Sequence, residues 1–110
     1  MPNYLKNDVV LVRYPFSDLS KFKIRPAIIV NSKHISQDVL IGPLTSKTSS
    51  LLPGEFALVE WQTAQLNVPS AVKRDIYTIR KYLKIKKTIG KLHPVDIQKL
   101  EDSLRNWLGL

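Results

Sequence analysis

The sequence predicts a mainly β domain, a small barrel or curled sheet with one amphipathic helix laid against it. Three observations carry that expectation: short β-branched runs at close spacing, turn-forming clusters between them, and a single helical stripe near the C-terminus. Residues 8–14 are rich in β-branched side chains and long enough for a strand partly buried on both faces. Residues 15–23 carry turn formers and read as a loop. Residues 24–30 form a second strand, in which Pro26 must sit near the start or on an edge because it has no N–H for the ladder. Residues 31–37 make a polar connection, 39–44 a third strand, and 47–50 another loop.

The Pro53-Gly54 turn leads into a fourth strand over 55–60, and 61–66 reads as a helical turn. Residues 70–74 and 76–79 are short strands. Residues 82–90 fit either a strand or a loop over the core. The chain closes in a helix: His93 stands at the N-cap and Pro94 at the first helical position, where its missing N–H is not needed. Ile97, Leu100, Leu104, Trp107 and Leu108 then form one apolar stripe, and Gly109 is the stop signal.

At 110 residues the chain is expected to be one domain, 1–110, with room for a single core. It has no cysteine, which removes disulfides and thiolate metal sites. His34 and His93 lack the partner spacing of a metal site, so no metal and no cofactor is expected. No apolar run approaches the roughly 20 residues that cross a bilayer. No signal-peptide core follows Met1, and a cytoplasmic protein without a membrane partner is the expectation.

Lys and Arg outnumber Asp and Glu by 17 to 9. Between residues 73 and 91 lie Lys73, Arg74, Arg80, Lys81, Lys84, Lys86, Lys87 and Lys91, against Asp75 alone. Lys21, Lys23 and Arg25 form a second basic group. Clusters of this kind suit a polyanion or an acidic protein partner, although a lysine run also serves as a solvated surface. Within this background Arg25-Pro26 stands at the mouth of one apolar strand and Thr45-Ser46 at the end of the next. A guanidinium facing two hydroxyls is a cradle for a phosphodiester, which directs attention to RNA.

The ordered series 8–12, Arg25-Pro26 with its apolar strand, Pro43-Leu44-Thr45-Ser46, 69–73, 76–79, Ile89-Gly90-Lys91-Leu92 and the terminal helix resembles the MazF/PemK family of toxins from type II toxin–antitoxin modules. The resemblance runs from about Asn7 to Leu110. It implies an SH3-like barrel of the CcdB/Kid/MazF kind with a C-terminal helix, usually a homodimer. It also implies a metal-independent endoribonuclease that cuts single-stranded RNA at short motifs. A cognate antitoxin is expected to inhibit it by laying an acidic tail across the RNA groove. The family's arginine and threonine fall on Arg25 and Thr45, and the basic-x-aspartate spacing of the PemK/Kid branch falls on Lys73 and Asp75. Here a lysine stands where that branch has arginine. The loop before Arg25 reads Ser20-Lys21-Phe22-Lys23, without the glycines common in the family and without histidine.

Metal-free RNA cleavage uses the 2′-hydroxyl as nucleophile, so the site must take that proton, neutralise the phosphate oxygens and support the departing 5′-oxygen. Arg25 suits the phosphate, its planar fork gripping two oxygens at any relevant pH. The alternative is an arginine paired to an acid at a strand edge. Thr45 and Ser46 can donate to the same phosphate, or cap the following loop. Asp75 is the expected general base, or an ion-pair anchor for its basic neighbours. Lys73 and Lys23 are expected phosphate contacts, and Phe16 and Phe22 the faces on which bases stack. Two other functions stay open: a CcdB-like inhibitor of DNA gyrase, and an RNA-binding homologue that has lost turnover.

Overall fold

The computed structural model describes residues 4–15, 22–31, 38–80 and 85–110. Among the described residues seven antiparallel strands precede one helix: β1 (Asp8–Pro15), β2 (Phe22–Ile29), β3 (Asp38–Thr45), β4 (Phe56–Ala57), β5 (Ala71–Val72), β6 (Tyr77–Arg80), β7 (Ile85–Lys91) and α1 (Pro94–Leu108). They join in the order β4-β5-β3-β2-β1-β7, with β6 paired to β3. The mainly β fold with one C-terminal helix is thus as expected from the sequence.

Residues 8–10 of β1, 27–29 of β2 and 41–44 of β3 are buried on both faces, which is why these stretches read as nearly continuous apolar runs rather than alternating ones. Val9, Ile28 and Leu44 belong to one core cluster, completed by Val72, Leu92 and Leu100. Val10, Val12, Ala27, Ile29 and Ile41 belong to a second cluster on the opposite face. Leu100, with Ile97 and Leu104 packed beside it, puts α1 over the first cluster. The helix begins as expected: His93 Nδ1 accepts from the Val95 N–H at 3.1 Å, and Pro94 follows. It ends at Gly109, whose φ of 73° is the left-handed cap.

The strand expected over 55–60 is only two residues long, and the reason is a carboxylate. Asp96, in the first turn of α1 and fully buried, accepts from the Val59 and Glu60 N–H groups, both at 2.8 Å. Those amides are therefore satisfied by the helix instead of by a ladder. Residues 61–66 do form helical turns, closed by Leu66 N–H to Trp61 O at 3.2 Å. Strand β7 crosses these turns at Gly90, where a Cβ would overlap the Ala64 carbonyl. Residues 85–91 are a strand, resolving the choice left open for 82–90, while 81–84 lie outside the described residues.

The sequence run of basic residues from 73 to 91 does not make one patch. Lys86, Lys87 and Lys91 sit on β7 beyond β1, whereas Lys73 follows β5 on the far side of β3.

Asp96 anchors both the helix and the segment leading to β5. Asp96→Ala is expected to leave two partly buried amides unpaired and to lower stability by about 3 kcal/mol. Urea unfolding measures this, and Asp96→Asn, which keeps one acceptor, should lose less.

Candidate active-site cleft

A proline opens the site. The β2–β3 ladder runs through Ile29–Ile41 and Ile28–Gly42 and stops at Ala27–Pro43. Backbone groups of alternate residues face β3 from Val30 through Ile28, so Pro26 would be the next donor, and it has no N–H; hydrogen bonding between the strands lapses there. Pro26 thus lies just past its ladder with β3, although β2 is an interior strand of the sheet. Carrying the same register two residues further brings Arg25 opposite Thr45, on the same face.

The other wall comes from the far side of β3. In the β3–β5 register, which pairs Leu44 with Val72, residue Lys73 falls opposite Pro43. In the β3–β6 register, which pairs Ile41 with Tyr77, Asp75 falls opposite the same proline. The two registers differ by two residues, an even shift that keeps the face. Lys73, Asp75 and Tyr77 therefore turn to the side already occupied by Arg25 and Thr45.

The result is an open cleft of about 500 Å³, whose lining includes Arg25, Thr45, Ser46, Lys73, Asp75 and Tyr77. Five of the residues singled out from the sequence come together here. Lys23 lies two residues from Arg25 along β2, exposed and outside the cleft lining. Phe16 lies outside the described residues, as does the side chain of Phe22, whose backbone opens β2. The aromatic ring that does line the cleft is Tyr77, 48% exposed, with Val68 at 49% beside it. Its signal was available in the sequence: Lys73, Asp75 and Tyr77 alternate at strand spacing.

Among the described residues no carboxylate pairs with Arg25, so the edge ion pair considered from the sequence is not made by them. Thr45 Oγ1 accepts from the Lys47 N–H at 3.1 Å. That is the loop-capping role considered for it, and it leaves the hydroxyl proton free to be donated into the cleft. Lys73 Nζ stands 3.9 Å from Asp75 Oδ2, a loose pair with both side chains roughly half exposed. Such a pair contributes at most about 1 kcal/mol. Among the described residues no group of three His, Cys, Asp or Glu gathers as a metal site would require.

Arg74, between the two cleft residues, turns the other way. Its Nη1 donates to Pro53 O at 2.9 Å and its backbone N–H to Glu55 Oε2 at 3.2 Å. Glu55 Oε1 accepts from the Leu52 N–H at 2.9 Å. That bond foremost holds the Glu55 carboxyl below its ordinary pKa. Desolvation opposes it, and the Arg74 N–H with the Lys73 and Arg74 charges adds to the lowering.

The family model for PemK-like, MazF-like toxins of type II toxin–antitoxin systems matches residues 6–108. The chain belongs to that family. An endoribonuclease from a mycobacterial species has the same fold, with a TM-score of 0.75 at 23% identity over 100% of this chain and 95% of that one. A mycobacterial endoribonuclease in complex with its cognate antitoxin gives 0.74 at 22% identity, over 100% and 97%. A structure of MazE–MazF from Deinococcus radiodurans gives 0.76 at 15% identity, over 96% of each chain. At these identities the likeness is one of fold. A search of curated protein sequences finds no match. The comparisons lend no support to a gyrase inhibitor of the CcdB kind.

Because the Glu55 pKa is lower folded than unfolded, its contribution is complete above the unfolded value, about 4.3, and is lost as pH falls through the folded one. Native protein should lose stability over that acid range more steeply than Glu55→Gln, with no difference in slope near neutrality. Unfolding titrations of both proteins from pH 2 to 7 measure it.

Proposed function

We propose that the chain is a toxin endoribonuclease that cuts single-stranded RNA at the cleft between β2, β3 and the 73–77 segment. One observation carries the reading: Arg25, Thr45, Ser46, Lys73 and Asp75, distant in sequence, line a single cleft. Family membership over nearly the whole chain supports the class of activity and supports treating residues 1–110 as one functional domain. The net charge of +8 fits a polyanionic substrate.

The reaction is an internal transesterification that needs no metal. The RNA 2′-oxygen bonds to the adjacent phosphorus as the bond to the 5′-oxygen breaks, leaving a 2′,3′-cyclic phosphate and a 5′-hydroxyl. Arg25 grips the non-bridging oxygens, where charge grows. One such well-aimed donor is worth about 3 kcal/mol, the largest single contribution available here. Thr45 and Ser46 donate to the same oxygens. Asp75 takes the 2′-hydroxyl proton, and Lys73 stabilises the departing 5′-oxygen, which takes a proton from solvent to become the 5′-hydroxyl. Lys23 extends the phosphate track along β2, and Tyr77, with Val68 beside it, offers an apolar face for a flanking base. Phe16 and Phe22 stay in the reading as further stacking faces from the segment before Arg25.

The protein works as a homodimer, an arrangement that would cover large apolar side chains left exposed on the single chain, such as Trp107 and Leu108. A cognate antitoxin with an acidic tail neutralises it by occupying the same basic cleft. The solved complex of a mycobacterial endoribonuclease with its antitoxin supports that partner class. A cytoplasmic location goes with an RNA target. No described helix is long and apolar enough to cross a membrane.

Purified protein incubated with a long unstructured RNA and EDTA should give discrete fragments ending in cyclic phosphate. Arg25→Ala should lower kcat/KM by roughly 100- to 1,000-fold without unfolding the protein, since the side chain is exposed. Thr45→Ala should act in the same direction, and Thr45→Ser should keep most activity. A fully active Arg25→Ala protein refutes the site. RNA that stays uncut but binds in a salt-sensitive manner indicates the homologue without turnover.

Tyr77 is tested separately with a short oligonucleotide carrying a 2′-deoxy nucleotide at the cleavage position. Tyr77→Ala should weaken its binding by roughly 10-fold, the worth of about one stacked base, while Tyr77→Phe binds as native. Equal binding by all three proteins removes the stacking role.

A further inference from the structure

Residues 73–76 join β5 to β6 at the point where the β3 ladder skips two residues. A short linker with few ladder bonds is free to twist, yet both of its cleft-facing side chains must keep their aim. The backbone bond recorded on the cleft side is Lys73 N–H to Pro43 O at 3.1 Å. The remaining restraint comes from behind. Arg74 projects to the helix-bearing side, where Nη1 donates to Pro53 O at 2.9 Å and its own N–H reaches Glu55. Glu55 in turn closes the 52–55 turn through both its carboxylate and its N–H, each bonded to Leu52.

That turn is built around the arginine. Gly54 has φ of 91°, and a Cβ there would stand 3.1 Å from the Arg74 Cδ, so the stem of the arginine lies against bare backbone. The Gly54 carbonyl accepts from the Ser103 hydroxyl on α1. A continuous chain of contacts thus leads from the terminal helix through the turn and Arg74 to the linker. An exposed loop needs no such anchorage to be folded. A loop whose two side chains must meet a phosphate from fixed positions does.

We propose that Arg74 is the positioning residue of the cleft: gripped by the 52–55 turn, it fixes the linker so that Lys73 and Asp75 point at the scissile phosphate. Its catalytic readout rests on the endoribonuclease reading, whereas its structural readout does not. The hydrogen bond to Pro53 is the part that matters, since it is the only one of these contacts made by the guanidinium itself among the described residues.

The test uses Arg74→Met, which keeps an apolar stem against Gly54 and deletes the donor, and Arg74→Lys, which restores a donor of similar reach. Lys6→Ala, which breaks the 2.8 Å pair with Glu101 elsewhere on α1, is the control for a general loss of helix contacts. Arg74→Met should lower kcat by roughly 100-fold, the effect of about 1 Å of misplacement, with a smaller change in KM. Arg74→Lys should regain most of that loss, and Lys6→Ala should behave as native. Amide exchange by NMR should be faster at the Lys73 N–H in Arg74→Met and unchanged there in Lys6→Ala. A kcat for Arg74→Met within about threefold of native, no recovery in Arg74→Lys, or unchanged exchange at Lys73 overturns the proposal. Native protein that cuts no RNA defeats the endoribonuclease reading instead, and exchange at Lys73 then decides the clamp alone.

Discussion

One residue that cannot donate a hydrogen bond determines where this sheet opens. Strand β3 is the hub, paired to β2 on one side and to β5 and β6 on the other. A hub strand of this kind normally leaves no room between itself and its neighbours. Pro26 changes that, because it turns toward β3 without an N–H just where the β2–β3 ladder ends. Beyond that point the chain keeps strand geometry without strand pairing, and side chains that would have been cross-strand neighbours now face each other across a gap. Arg25 and Thr45 are such a pair. Neither has to be held by a loop, so the cleft inherits the rigidity of the sheet around it.

Alternation does the sorting on either side of that gap. The skip of two residues between β5 and β6 lengthens the outer wall but leaves its faces unchanged, because the side-chain period of a strand is also two. A skip of one would have turned Asp75 and Tyr77 toward α1 and Arg74 into the cleft. The observed register gives the cleft one carboxylate and one ring, and sends the guanidinium of Arg74 to the helix side. On that side Asp96 plays the larger energetic part. Its carboxylate is buried with both oxygens occupied by backbone amides, and hydrogen bonds to a charged group are worth about 1.5–3 kcal/mol each. Asp96 is therefore the rigid joint between helix and sheet, and Arg74, partly exposed, is the finer adjustment built on it.

Much of the fold was legible because its signals are local. The three long strands announce themselves by β-branched runs, and the helix by a cap, a proline and a stripe. The misreadings share one cause. Residues 58–60 have the composition of a strand, but Asp96, 36 and 37 residues from its two partners, takes their amides. No window of local sequence contains that competition. The described basic residues between 73 and 91 are likewise distributed by the topology, Lys73 after β5 and Lys86, Lys87 and Lys91 on β7. At the cleft, residue types pointed to Arg25, Thr45, Ser46, Lys73 and Asp75, and their convergence is geometric fact. Tyr77 stands at the strand period from Asp75, but its place in the cleft depends on the pairing of β6 with β3, which local sequence does not contain.

The loose pair between Lys73 and Asp75 bears on how the proposed reaction begins. At 3.9 Å between half-exposed groups, the attraction is nearly that of two charges in water, about 1 kcal/mol. A charge-assisted hydrogen bond from the same ammonium to a phosphate oxygen is worth more, about 1.5–3 kcal/mol. An arriving phosphodiester therefore outcompetes Asp75 for Lys73. The exchange does two things at once. In the proposed reaction it places a cation beside the departing oxygen, and it leaves the Asp75 carboxylate free to turn to the 2′-hydroxyl. A tight, buried ion pair at this position would have resisted that exchange, since breaking it costs 3–5 kcal/mol or so. Half exposure and a long separation thus leave Lys73 able to change partners when a phosphodiester arrives.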